Sequence, residues 1–223
     1  MFESHPYDAY VRGEKNINFT QIEEIEDKNP IDELYWAAAQ MYRATGEASY
    51  LTDADAISTK LKRGLDWSTV GDYGNIALIT MDSIDKESVA YGNAKSVIIS
   101  QADDLAEISA EQAYSVATES YHWGSNMTIA NYGIILAHAY DLTGEQKYID
   151  AAQGQLDYLL GTNPLGTCFV TGYGTATPVA PHHRPSMAVG EPMKGMLVGG
   201  VNQNLEDNAA LAYCIDSPPA ALR

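Results

Sequence analysis

The sequence is short of positive charge. Its 223 residues carry thirteen Lys plus Arg against thirty Asp plus Glu, a net charge of −17. Such a surface repels phosphate backbones, which argues against nucleic acid as a partner, whereas a neutral polymer such as a polysaccharide is not repelled. It also lacks any apolar run near the ~20 residues of a membrane span, so no membrane partner is expected. Met1 to Tyr10 includes Glu3, His5 and Asp8 and no apolar stretch, so no secretory signal is read there. Only two cysteines occur, Cys168 and Cys214, without metal-type spacing. They can pair, stay free or pack as small apolar residues, and buried and free is the expected state. Five histidines, His5, His122, His138, His182 and His183, show no zinc spacing, and His138 reads as a structural residue on a helix.

What is present is globular composition, 45% hydrophobic and 19% charged, and an internal repeat. Residues 39–51 read AQMYRATGEASYL and residues 137–149 read AHAYDLTGEQKYI. Both contain Tyr-x-x-Thr-Gly-Glu-x-x-Tyr, from Tyr42 to Tyr50 and from Tyr140 to Tyr148. Helix-like apolar patterns flank each Thr-Gly: Leu34, Ala37, Ala38 and Met41 before the first, Ile134, Ile135 and Ala137 before the second, and Tyr148, Ala151, Leu156, Leu159 and Leu160 after it. Glycine closing one helix and an acidic residue opening the next is the chemistry of a tight helix–helix turn, so each unit reads as an αα-hairpin. The stretch from Tyr73 to Tyr114 has room for one more pair. Three hairpins, or six helices up to Gly161, imply a solenoid or a closed α/α toroid. Residues 161–204 are instead rich in Gly, Pro, Thr, His and Asn, and long loops on rigid scaffolds tend to carry function. A short helix is expected from Glu206 to Tyr213.

Three stretches together resemble glycoside hydrolase family 9, the family E cellulases. They are DELYWAAAQMYRATGEASYL (32–51), YHWGSNMTIANYGIILAHAYDLTGEQKYIDAAQGQLDYLLGTNPLG (121–166), and CFVTGYGTATPVAPHHRPS (168–186) with GMLVGGVNQNLEDNAALAYCIDSPPA (195–220). The resemblance implies an all-α fold, an (α/α)6 barrel with an open cleft at one end. Three hairpins are half of that, so the chain reads as the second half of the catalytic domain. Helical hairpins occupy about 31–161, the loop-rich active-site segment 162–204 and the C-terminal end 205–223.

The resemblance also implies inverting hydrolysis of β-1,4-glucan, as in endo- or exo-acting cellulases, outside the cell for the full-length parent. Inversion needs a general base and a general acid roughly 6.5–9.5 Å apart. The family's base lies in an Asp-x-Gly-Asp segment before the helix that here begins at residue 32. Its acid lies in a Tyr-Ser-x-Asn-Glu segment after the Pro218-Pro219-Ala220 landmark. Neither is matched, and Asp72 in Val-Gly-Asp-Tyr-Gly is an accidental echo. The isolated chain is therefore expected to show no hydrolysis above background. By the same resemblance His182, the histidine of the active-site signature, and Arg184 hydrogen-bond sugar hydroxyls, with His183 pointing elsewhere. Trp123 and Trp67 are the candidate stacking platforms, the core being an alternative for Trp67; Tyr173 shapes the cleft and Trp36 belongs to the core. Cys168 stands where the family has Ser, and Ala176 where Asn, Lys or Arg is usual, which puts hydrogen bonding in this loop in question. No cofactor is required. A structural Ca2+ near Asp32, Glu33 and Asp72 is weighed equally against exposed helix-start carboxylates. The rival readings are a non-catalytic carbohydrate-binding remnant, a fragment with two uncovered apolar flanks, and an α/α-toroid scaffold.

Overall fold

The computed structural model describes residues 30–181 and 183–205; the helix expected at Glu206–Tyr213, Cys214 and His182 lie outside them. Six helices precede Gly161: α1 (Ile31–Thr45), α2 (Ala48–Ile57), α3 (Gly71–Ile79), α4 (Val89–Glu111), α5 (Ser125–Thr143) and α6 (Gln146–Leu160). A seventh, α7 (Arg184–Val189), is a single short stretch inside the loop-rich segment. Among the described residues there is no strand, only an isolated antiparallel bridge between Val170 and Leu197. No helix of these residues is long and apolar enough to cross a membrane.

The repeated Thr-Gly-Glu builds the same turn twice. Gly46 and Gly144 take φ of 72° and 71°, a left-handed conformation that glycine enters without steric cost. Their amides donate to Tyr42 O and Tyr140 O, at 2.8 and 2.7 Å, closing α1 and α5. The threonine does the capping expected of the acid: Thr45 Oγ1 accepts from the Glu47 amide at 3.1 Å, and Thr143 Oγ1 from the Glu145 amide at 3.2 Å. Neither glutamate side chain caps its helix.

Helix α4 packs against α2, α3, α5 and α6, and so ties the successive hairpins together. Its start is held from outside, since Asp55 of α2 accepts from the Ala90 amide at 2.6 Å. Helices α1 and α3 are pressed together where Gly74 faces Tyr35; a Cβ at Gly74 would lie 2.6 Å from that ring. The buried face of α1 is Tyr35, Ala38, Ala39 and Tyr42, one step along from the Leu34/Ala37/Ala38/Met41 stripe read in the sequence, and Leu34 and Met41 are exposed. The large tyrosines decide the face, because each fully buried large apolar side chain contributes about 1.5–3 kcal/mol. Trp36 follows from the same rotation. It is not in the core but 36% exposed, stacked on Tyr73 with ring centroids 5.0 Å apart. Ile134 on α5 and Leu156 and Leu160 on α6 are exposed as well.

Candidate functional site: an aromatic groove between the α3 and α5 starts

Two short loops, 61–70 before α3 and 121–124 before α5, bring Trp67 and Trp123 to one groove of about 400 Å3. Its lining also includes Asp66, His122, Met127 and the stretch 197–199. The tryptophans are 72% and 67% exposed, far too open to serve as core. Each follows a polar residue in sequence, Asp66-Trp67 and His122-Trp123, so each loop presents a ring and a hydrogen-bonding group together. Asp66 and His122 were not singled out in the sequence as site residues; their only signal is this adjacency.

Asp66 is built into its loop. Its Oδ1 accepts from the Ser68 amide at 2.7 Å, the Ser68 hydroxyl at 3.0 Å and the Thr69 amide at 2.8 Å. Partial burial would raise its carboxyl, but the hydrogen bonds from Ser68 and Thr69 together outweigh that and hold it below the ordinary carboxylate range. It is therefore an anionic acceptor at neutral pH and a poor proton donor. His122 Nδ1 lies 2.9 Å from the Trp123 carbonyl, which fixes a proton on that nitrogen and leaves Nε2, 3.4 Å from Thr128 Oγ1, as the acceptor.

The Trp67 loop is anchored by buried acids. Asp32 Oδ2 accepts from the Val70 amide at 2.8 Å. Asp72, 1% exposed, accepts at Oδ2 from the Gly64 amide (2.7 Å) and Gln101 Nε2 (2.9 Å), and at Oδ1 from Asn75 Nδ2 (2.7 Å). Asn75 in turn accepts from the Tyr35 hydroxyl at 2.7 Å. Burial first, and then the charge of Asp72, push the Tyr35 phenol up. Asp32 and Asp72 are thus not exposed helix-start carboxylates: protein donors occupy both oxygens of Asp72 and Oδ2 of Asp32, whereas Glu33 is exposed. No group of three or more His, Cys, Asp or Glu able to hold a metal exists among the described residues.

The Trp123 loop is pinned to the loop-rich segment. Ser125 Oγ donates to Val201 O at 2.7 Å, Asn126 Nδ2 to Val198 O at 2.9 Å, and the Asn126 amide to Gly199 O at 3.1 Å. Gly200 must be glycine there, since a Cβ would fall 2.4 Å from the Asn126 side chain. Further back, Asn163 of Gly-Thr-Asn-Pro bonds Tyr158 O and Thr167 O at 2.7 and 2.8 Å, turning the chain out of α6.

Tyr173 and Arg184 are both exposed, and among the described residues no contact ties either to the Trp67–Trp123 groove. His183 points away into its own helix, where Nδ1 lies 2.8 Å from Ser186 Oγ and faces the Ser186 amide as the cap of α7. Cys168 is buried and free. Its amide donates to Ala176 O at 2.9 Å, so these two departures from the family pattern meet through backbone, and neither side chain is needed for the bond. His138 is half-buried, and loss of solvent lowers its pKa.

The architecture recurs in solved proteins. A thermostable endoglucanase from Alicyclobacillus acidocaldarius superposes with a TM-score of 0.76 at 30% identity, over 89% of this chain and 39% of that one. A metagenome-derived family 9 endoglucanase gives 0.74 at 29%, over 83% and 34%. The helical fold is that of part of an (α/α)6 barrel. Among curated relatives, a cellodextrinase of Butyrivibrio fibrisolvens is 30% identical over 86% of this chain, and a xyloglucan-specific endo-β-1,4-glucanase of Bacteroides ovatus is 30% identical over 93%. The chain spans 38% and 37% of those two relatives' lengths. The glycosyl hydrolase family 9 model matches residues 9–213, nearly the whole sequence, and on that agreement of sequence and fold the chain belongs to glycosyl hydrolase family 9.

Proposed function

We propose that this chain supplies a sugar-binding face to a β-1,4-glucan hydrolase of the cellulase type that acts outside the cell. The observation that carries the reading is the Trp67–Trp123 groove. Sugar rings have apolar C–H faces and polar edges, and two exposed indoles with an anionic acceptor and an imidazole lining the same groove suit both parts. The two relatives, a cellodextrinase and a xyloglucan-specific endo-β-1,4-glucanase, support a glucan as substrate. The surplus of negative charge favours a neutral polymer over an anionic one.

Within the groove the chemistry is binding rather than bond cleavage. Asp66, held ionised, accepts hydroxyl protons from sugar but has none to give to a leaving oxygen near neutral pH. His182 and Arg184 of the signature extend the grip as hydrogen-bond donors. The test is calorimetric titration of the chain with cellotetraose. Trp123→Ala is expected to weaken binding by ~10-fold or more, about 1.4 kcal/mol, and Trp36→Ala, which alters the exposed stack away from the groove, to leave it within twofold. Equal losses in the two variants, or no binding by the folded parent chain, would overturn the reading.

A further inference from the structure

A second pocket opens beside the groove and shares its rim. It holds about 280 Å3, and Asp66, His122 and Thr128 line both spaces. Its own walls come from Gln101 on α4, Asn131 and Tyr132 on α5, and the loop at Arg63. Helix α3 is only nine residues long, and the space opens where the loop before it faces α4 and α5.

The lining is polar, and several of its groups are committed on one side only. The Asn131 Nδ2 donates to the Leu65 carbonyl, which leaves its Oδ1 as an acceptor. Gln101 Nε2 donates to Asp72, which leaves Oε1. Asp66 uses Oδ1 for all three of its loop bonds, which leaves Oδ2. Tyr132 is half-buried, and its hydroxyl meets no protein partner among the described residues. Burial, and after it the charge of Asp66, raise that phenol, so it stays protonated and able to donate. Spare acceptors and one spare donor around a small open space call for a neutral polyhydroxylated occupant. An apolar ligand would leave these groups unsatisfied, at about 1–3 kcal/mol for each that is buried. A cation would meet a single carboxylate.

We propose that this pocket is a side-chain subsite: it receives a single sugar unit that branches from a glucan backbone lying on Trp67 and Trp123. A pentose substituent of about ten non-hydrogen atoms, each at most about the ~30 Å3 of a water, matches in size a space of about 280 Å3. The shared rim is what makes the two spaces one recognition site, because a branch leaving a backbone in the groove passes Asp66 and His122 to enter the pocket. The inference rests on the groove being the sugar-binding face.

The test compares calorimetric affinities of the chain for cellotetraose and for the same tetraose carrying one xylosyl branch, in the parent chain, Tyr132→Trp and Tyr132→Phe. The parent is expected to favour the branched ligand by at least ~5-fold. Tyr132→Trp fills the pocket and is expected to bring the ratio down to about one or below. Tyr132→Phe keeps the packing, removes the hydroxyl, and is expected to reduce the ratio by about threefold, a readout that survives if the larger side chain fails to fold. A parent that binds cellotetraose but gains nothing from the branch refutes the side pocket and spares the groove. A parent that binds neither ligand refutes both. A preference that persists undiminished in folded Tyr132→Trp or in Tyr132→Phe refutes the assignment of this pocket.

Discussion

Removing the Asp72 carboxylate should unlatch the loop that carries Trp67, and the cost can be worked from its partners. Asp72→Ala leaves three donors without an acceptor: the Gly64 amide, Gln101 Nε2 and Asn75 Nδ2. Each buried donor so stranded costs about 1–3 kcal/mol. Gly64 is only half-buried and can recruit water, so the sum is about 4 kcal/mol rather than the maximum. For a chain of this size that corresponds to a fall in Tm of about 8–16 °C. Asp72→Asn is the informative companion. Its amide can donate to Asn75 if Asn75 turns over and offers its own amide to the Tyr35 hydroxyl oxygen, so charge assistance is lost and the buried Tyr35 hydroxyl proton is left without its acceptor, about 2–3 kcal/mol together. The assay is urea unfolding followed by circular dichroism, run with calcium and with a chelator. A loss below about 1.5 kcal/mol for Asp72→Ala, or a parent stability that rises steeply with calcium, would refute the hydrogen-bonded latch and restore a metal role.

Two further perturbations address packing and pH. Gly154→Ala is expected to lose about 2 kcal/mol in urea unfolding: its Cβ would lie 2.3 Å from the Ser115 carbonyl, a backbone atom, and overpacking exceeds the ~1 kcal/mol gained in helix propensity. Gly133→Ala meets only Gln155 at 3.5 Å, an ordinary contact, and is expected to stabilise by up to ~1 kcal/mol. Asp66→Ala should cost about 1–2 kcal/mol at pH 7 by releasing the Ser68 and Thr69 donors. Because the folded Asp66 carboxyl titrates below its unfolded value, near 3.9, the stabilisation is complete above that value and drains away as pH falls through the folded one. The gap between parent and Asp66→Ala should therefore close in acid and stay level from pH 5 to 8; a gap that widens in acid contradicts the assignment.

The hairpins were legible because their turns are chemical rather than statistical: Tyr-x-x-Thr-Gly-Glu specifies a left-handed glycine and a threonine cap, and both copies carry them out. The two tryptophans were singled out on the family resemblance, with the core left open for Trp67; both prove exposed and line one groove. The buried roles of Asp32 and Asp72 were not, since an acid at a helix start reads as solvated unless what packs on it is known, and Val70 for Asp32 and Gln101 for Asp72 arrive from other parts of the chain. Trp36 failed for a related reason: alanines around it suggest a core helix, but Tyr35 next to it takes the inward position and turns the indole out. Asp66 and His122 gain meaning only when α3 and α5 bring two distant loops to one groove.

The pins between the α5 start and residues 198–201 have a consequence for the order in which the molecule can be made. A ribosome delivers Trp123 long before Val198 and Val201, and domains take shape as their parts emerge. The hairpin of α5 and α6 is local and forms early, whereas the pins close a loop of some seventy residues and wait on its entropy. The indole therefore spends part of its synthesis on a turn with local bonds alone, before residues 198–201 pin it. The groove is among the last features to set, and an arrest of translation ahead of residue 198 would yield helices without it.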